Sequence, residues 1–213
     1  MKLGFFGDSF CSNIQNDHSI ENNYQTYIQK LAQRYNATID NVGVGGSSVW
    51  DLVLLQWDAT ALPDVCIFAW TGHERLFHRD CRYVTPSAID NNYLPQNLIS
   101  PTKDYYTHFY DEEKHNLEYQ SLLFYFDNKV LSKYPNTKFI HLWSFDDDYL
   151  HRWGNGVEIR PALETISIRE LGKFSNLDKR ANHIAGEHDN QLVCDSISVA
   201  IDNYQNGSLL SFL

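Results

Sequence analysis

The chain has 213 residues, a formal charge of −10 and a pI near 5.2. The length suits one domain with a sizeable core, expected to span residues 1–213. The negative balance, with no Lys/Arg run, excludes electrostatic binding to nucleic acid or an anionic membrane surface and favours small molecules or neutral or cationic polymers.

Strand-like and helix-like patterns alternate along the chain. KLGFF (2–6) reads as a first strand, and Tyr24, Tyr27, Ile28, Leu31, Ala32 and Tyr35 recur on one face of a first helix. ATIDNVGV (37–44) reads as a second strand, followed by a glycine-rich turn and a helix over VWDLVLLQWDAT that ends before Pro63. VCIFAW is a third strand. Residues 76–110, rich in Tyr, Asn and Pro, show no clear period and read as a long loop insertion. The stripe Tyr119, Leu123, Phe126, Val130 and Tyr134 predicts a helix ending at Pro135, KFIHLWSF (138–145) a fourth strand, and GVEIR (156–160) a short fifth. Leu192, Val193, Ile197, Ala200, Ile201 and Tyr204 predict a closing helix. Such alternation is the pattern of parallel strands joined by crossover helices.

Four cysteines, at 11, 66, 81 and 194, form no C-x-x-C pair and no small-domain disulfide spacing, so reduced thiols are expected. MKLGFFGDSF enters an apolar strand directly, without a basic leader, and no stretch approaches the roughly 18 apolar residues of a membrane span. A cytoplasmic location is the expectation.

Ligands of parallel sheets lie beyond the carboxyl ends of the strands, which directs attention to the residues following strands one to three. After the first comes Gly7-Asp8-Ser9-Phe10, where a glycine lets the backbone turn and a serine presents hydroxyl and N–H together, although a helix N-cap would use the same residue. The G-x-S-x-G elbow is absent, since Cys11 stands at its last glycine. After the second comes Asn41-Val42-Gly43-Val44-Gly45-Gly46-Ser47, whose glycines free N–H groups to face an anion. It lacks the lysine of a phosphate-binding loop, so no nucleotide cofactor is expected. After the third comes Thr71-Gly72-His73-Glu74-Arg75, and His183 precedes the last helix. Asp146, Asp147 and Asp148 with His151 offer metal-ligand chemistry, but consecutive acids point in different directions and read as a solvated loop, so no metal is expected.

Gly7-Asp8-Ser9-Phe10 and Asn41-x-Gly43-x-x-Gly46-Ser47 resemble the first two sequence blocks of the SGNH hydrolases, the GDSL esterase and lipase superfamily. The resemblance implies a flavodoxin-like three-layer α/β/α sandwich with a parallel sheet of four to five strands. It also implies Ser9 as nucleophile, His183 as base, and the N–H groups of Ser9 and Gly46 as oxyanion donors, with Asn41 and Asp8 holding the loops. Two positions depart from the family. His73 stands where the third block has asparagine, and an imidazole N–H can donate in its place. Arg180 stands where the acid is usual; Asp178 is the nearest carboxylate, a backbone carbonyl would leave a Ser-His dyad, and His188 falls on the helix itself.

Arg75 near the pocket is a candidate for holding a substrate carboxylate, or for simple pairing with Glu74. Tyr83, Tyr93, Tyr105, Tyr106 and Tyr110 either wall a sugar-binding groove or pack on the domain, and Tyr83 and Tyr105 are taken as substrate-binding. The expected activity is hydrolysis of a small-acyl ester, with a carbohydrate O-acetyl ester ahead of a lipid. The alternatives are a lapsed binding or structural module and a sugar acyltransferase on the same fold. The oligomeric state is left open.

Overall fold

The computed structural model describes every residue except 13–24, 83, 91–93, 146–150, 167–183, 185 and 213. Among the described residues the chain runs β1 (Lys2–Gly7), a 3-10 turn (Ser9–Cys11), α1 (Tyr27–Arg34), β2 (Thr38–Asn41), α2 (Val49–Asp51) continued by a π-helical turn (Leu52–Gln56), and β3 (Val65–Trp70). It continues with α3 (Pro86–Asp90), α4 (Gln96–His108), α5 (Glu112–Tyr125) prolonged by a π-helical segment (Phe126–Val130) and a 3-10 turn (Leu131–Lys133), then β4 (Lys138–Trp143) and β5 (Val157–Arg160). The final elements are α6 (Gly186–Asp202) and β6 (Ser208–Ser211).

All six strands are parallel, in the order β2-β1-β3-β4-β5-β6. The sheet is thus wider than the expected four to five strands: β6, an edge strand with alternating exposure, extends it beyond β5. The order reverses at β1, whose two neighbours β2 and β3 both follow it in sequence. Chains leaving β1 therefore open a crevice at its carboxyl end, where α/β sheets hold ligands.

Both faces of the sheet are covered, because successive side chains of each strand point to opposite sides. Leu3 and Phe5, Val65 and Ile67, and Ile140 and Leu142 pack with Ile28 and Leu31 of α1 and Val193 and Ile197 of α6. Their neighbours Phe6, Phe68, Trp70, Phe139 and Trp143 pack on Leu52, Leu123 and Phe126 instead. Three layers result, the second face being dominated by aromatic rings.

Local signals fix the helix starts near the site. Thr26 and Gln29 form a reciprocal capping box on α1, and Ser48 and Asp51 form another on α2. The helix expected over VWDLVLLQWDAT ends early, at Gln56, through the π-helical turn. Residues 76–110 also differ from the loop expected there. They contain α3 and α4 and a satellite core of Val84, Ala88 and Leu94 against Leu76, Ile89 and Ile99.

A buried polar residue lies inside the aromatic layer. His141 on β4 is fully buried, stacks on Trp153 with ring centroids 3.8 Å apart, and accepts a hydrogen bond at Nδ1 from Trp70 Nε1 at 3.1 Å. Indole N–H only donates, so the proton of His141 sits on Nε2, 2.9 Å from the Asn155 carbonyl. Burial pushes its pKa down from 6.5 to about 3. A histidine held neutral in the fold is protonated first in the unfolded chain. Its contribution is complete above about pH 6.5 and is lost as the pH falls towards 3. Urea titrations from pH 7 to 4 should show stability falling, with His141→Gln removing up to about 1.4 kcal/mol per pH unit from the slope. An unchanged slope in the variant would exclude this source.

Candidate functional site

β1 ends on a tight contact. Gly7 has φ +147°, and a side chain there would run into the Ala69 carbonyl of the neighbouring β3. The strand can therefore turn out of the sheet level with Ala69, its register partner. Asp8 follows, fully buried, and caps the 3-10 turn by accepting from Phe10 N at 3.0 Å. Ser9 opens that turn half-buried, and its hydroxyl hydrogen-bonds none of the described side chains.

The loop after β2 is laced onto this turn. Gly43 N donates to Cys11 O and Val44 N to Gly7 O, both at 3.0 Å. Asn41 Nδ2 donates to Phe5 O at 3.3 Å, tying the end of β2 back to β1. Gly46 has φ +76°, a left-handed conformation in which its N–H is free of backbone partners among the described residues.

Gln56 was invisible to sequence reasoning. Its Oε1 accepts from Gly7 N and its Nε2 donates to Gly7 O, both at 2.8 Å, and Nε2 also reaches Ser47 Oγ at 3.0 Å. One amide thereby pins the end of β1 to the second loop. The only sequence signal is a lone glutamine closing the apolar run LVLL.

The third loop, Thr71 to Arg75, is held from the helical side. Tyr119 Oη donates to Thr71 O at 2.7 Å and Tyr106 Oη to Glu74 O at 2.5 Å, so two tyrosines bracket His73. His73 has its Nδ1 buried and its ring centroid 6.4 Å from that of Tyr119. It lines a small cavity of about 140 Å³ with Val49, Trp50, Arg75, Phe77, His115 and Glu118. Tyr105 does not line the cavity itself; its hydroxyl is hydrogen-bonded, at 2.8 Å, to Nε2 of His115, which does.

Arg75 shares that wall, but its charge is already engaged. Nη1 lies 3.5 Å from Asp8 Oδ2 and donates to Ser47 O at 3.1 Å, while the guanidinium rests 4.9 Å from the centroid of the Phe145 ring. Asp8 Oδ1 in turn accepts from Ser144 Oγ, beyond β4, at 3.0 Å. The arginine read from sequence as a substrate ligand or a partner of Glu74 lines the cavity and also bridges two loops through Nη1.

Ser9, the Gly46 loop, and His73 with Arg75 follow the carboxyl ends of β1, β2 and β3, and Arg75 reaches Asp8 and Ser47 O in the first two loops, while the cavity lined by His73 and Arg75 includes neither Ser9 nor Gly46. His183, Asp178 and Arg180 lie outside the described residues, as do Tyr83, Tyr93 and Asp146 to Asp148. His188 is on α6, exposed, with Nδ1 3.2 Å from Asp189. His151 is buried instead against Asp127, Nε2 to Oδ2 3.5 Å. Burial alone would raise the Asp127 pKa, but the His151 imidazole beside it and hydrogen bonds from Gly154 and Asn155 hold it below the usual carboxylate range.

No protein-family model matches the sequence, and no curated protein matches it. Among solved structures, the chain is similar to a family two carbohydrate esterase from Clostridium thermocellum in complex with cellohexaose, at 13% identity and a TM-score of 0.42 over 95% of this chain. An active-site mutant of a family two carbohydrate esterase from that organism gives 14% and 0.41. A GDSL-like lipase from Parabacteroides merdae gives 21% identity and a TM-score of 0.33 over 68% of this chain. The matches span 63% of each esterase chain and 60% of the lipase chain.

If Arg75 is a clamp, removing it leaves a buried carboxylate uncompensated. Arg75→Met should destabilise the protein by about 3 kcal/mol, and adding Asp8→Asn should return part of that loss. A free substrate-binding arginine would leave the denaturation midpoint where it was.

Proposed function

We propose that this chain is a serine ester hydrolase of SGNH type acting on a small-acyl ester. The observation that supports this most is the meeting of three strand-end loops at the sheet's reversal point. They are a serine opening a turn on a buried Asp8 cap, a left-handed glycine loop laced to it, and a histidine bracketed by two tyrosines.

In this reading Ser9 Oγ attacks the ester carbonyl and passes its proton to His183, a role assigned by resemblance. As the Oγ–C bond forms, the carbonyl π pair moves onto oxygen. The oxyanion is met by the N–H groups of Ser9 and Gly46 and by an N–H of His73. Collapse breaks the bond to the leaving alcohol, which takes the proton from His183. Water, deprotonated by the same imidazole, then releases the acid from Ser9. Asp178 orients His183, or a backbone carbonyl does so.

The small cavity beside His73 suits a short acyl group better than a long chain, and its Trp50 wall, 40% exposed, suits a sugar face. A carbohydrate O-acetyl ester is accordingly the first substrate class to test.

Turnover of p-nitrophenyl esters should fall steeply beyond short acyl chains. Ser9→Ala should abolish it together with fluorophosphonate labelling. Ester turnover that survives in Ser9→Ala, or none in the unaltered protein, would sink the proposal.

For His73→Ala the expected loss is about 10² to 10³ in kcat, the usual effect of removing one oxyanion donor, with His73→Asn recovering most of it. Unaltered kcat in the alanine variant would remove His73 from the site.

A further inference from the structure

The outward face of α5 and its π-helical extension is not the polar surface expected of a solvent-facing helix. Leu117, Phe124 and Tyr125 stand 66%, 61% and 57% exposed, and Leu117 and Phe124 border a groove of about 580 Å³ between this helix and the segment carrying His151, Arg152 and Gly154.

The polar residues along the seam are satisfied within the helix. Ser121 Oγ donates to Leu117 O at 2.7 Å, Asn128 Nδ2 to Phe124 O at 3.0 Å, and Gln120 Nε2 to Asn116 Oδ1 at 3.0 Å. Covering the seam therefore strands few hydrogen-bonding groups, which lowers the cost of burying it.

Charge is separated along the same helix. Asp111, Glu112 and Glu113 stand at its start, Lys129 and Lys133 at its end, and all five are exposed. Lys114, the cation at the acidic end, is paired with Glu118 at 3.3 Å.

We infer that this face is the interface of a two-fold dimer of this chain, formed by antiparallel packing of α5 on its copy. An axis between residues 120 and 121 sets Leu117 against Phe124 of the second copy and brings Glu113, one turn before Leu117 on the same face, to the end that carries Lys129. The apolar centre and both charged ends are thus self-complementary, as an isologous interface requires. Parallel packing would set acid on acid and is disfavoured. The groove beside the helix receives the partner's aromatic side chains, and Ser121, the smallest residue of the seam, lies where the helices approach most closely.

Sedimentation equilibrium across a dilution series should give a mass twice 24.7 kDa at the concentrated end. Phe124→Glu, at a position exposed enough to leave the fold intact, should give a monomer with an unchanged melting temperature. Lys129→Glu and Glu113→Lys should each weaken association by about tenfold, and the double reversal should restore it. A monomer at every concentration, a dimer indifferent to Phe124→Glu, or single reversals without effect would each overturn the inference.

Discussion

A single buried charge organises the carboxyl edge of this sheet. The Asp8 carboxylate has no exposed surface, and burying an anion is tolerated only when partners replace its water. Those partners come from three places: the Phe10 amide on its own turn, the Ser144 hydroxyl beyond β4, and the Arg75 guanidinium beyond β3. Arg75 extends the linkage to Ser47 O in the loop after β2. Solvating one ion thus sets four loops relative to each other. An apolar replacement would impose no direction on any loop, and direction is what a site needs.

The two faces of the sheet solve different problems. The face under α1 and α6 is mainly aliphatic and closes without polar groups from the strands. The opposite face stacks Phe6, Phe68, Trp70, Phe126 and Trp153 around His141, whose partners leave it one tautomer and one ring orientation. From that side Tyr119 reaches the Thr71 carbonyl, and Tyr106 reaches Glu74. The tyrosine abundance, which in sequence suggests stacking surfaces for a ligand, is spent in part on pinning the third loop. A phenol is well suited to this, with an apolar ring for the core and a hydroxyl for a backbone oxygen.

Strands buried on both faces were readable as unbroken apolar runs such as VCIFAW, and α1 and α6 as stripes, because burial writes itself directly into composition. SLLS was not readable, since a short edge strand half in solvent has only a weak pattern. α4 was hidden by Pro95 at its N-cap and Pro101 inside it, and α3 by its length. Within the candidate site, local features were legible: a glycine that must turn, a serine that follows it, a glycine-rich second loop. Arg75 and Gln56 were not, because their partners stand far away along the chain, and spacing holds no record of pairings made through tertiary structure.

Helix α5 joins these themes, since its opposite sides serve different purposes. Tyr119, Leu122 and Leu123 face inward, where they complete the aromatic layer and hold the third loop. Leu117, Ser121 and Phe124 face outward, with side-chain donors returned to the helix's own carbonyls where they have any. A helix offset of 100° per residue keeps the two sets apart. Changing Phe124 removes apolar surface from the seam without touching the hydroxyl that positions Thr71. Changing Tyr119 does the reverse. Association and site geometry are therefore separable by substitution on one helix, and an effect of Phe124→Glu on ester turnover would have to be transmitted through the helix as a whole.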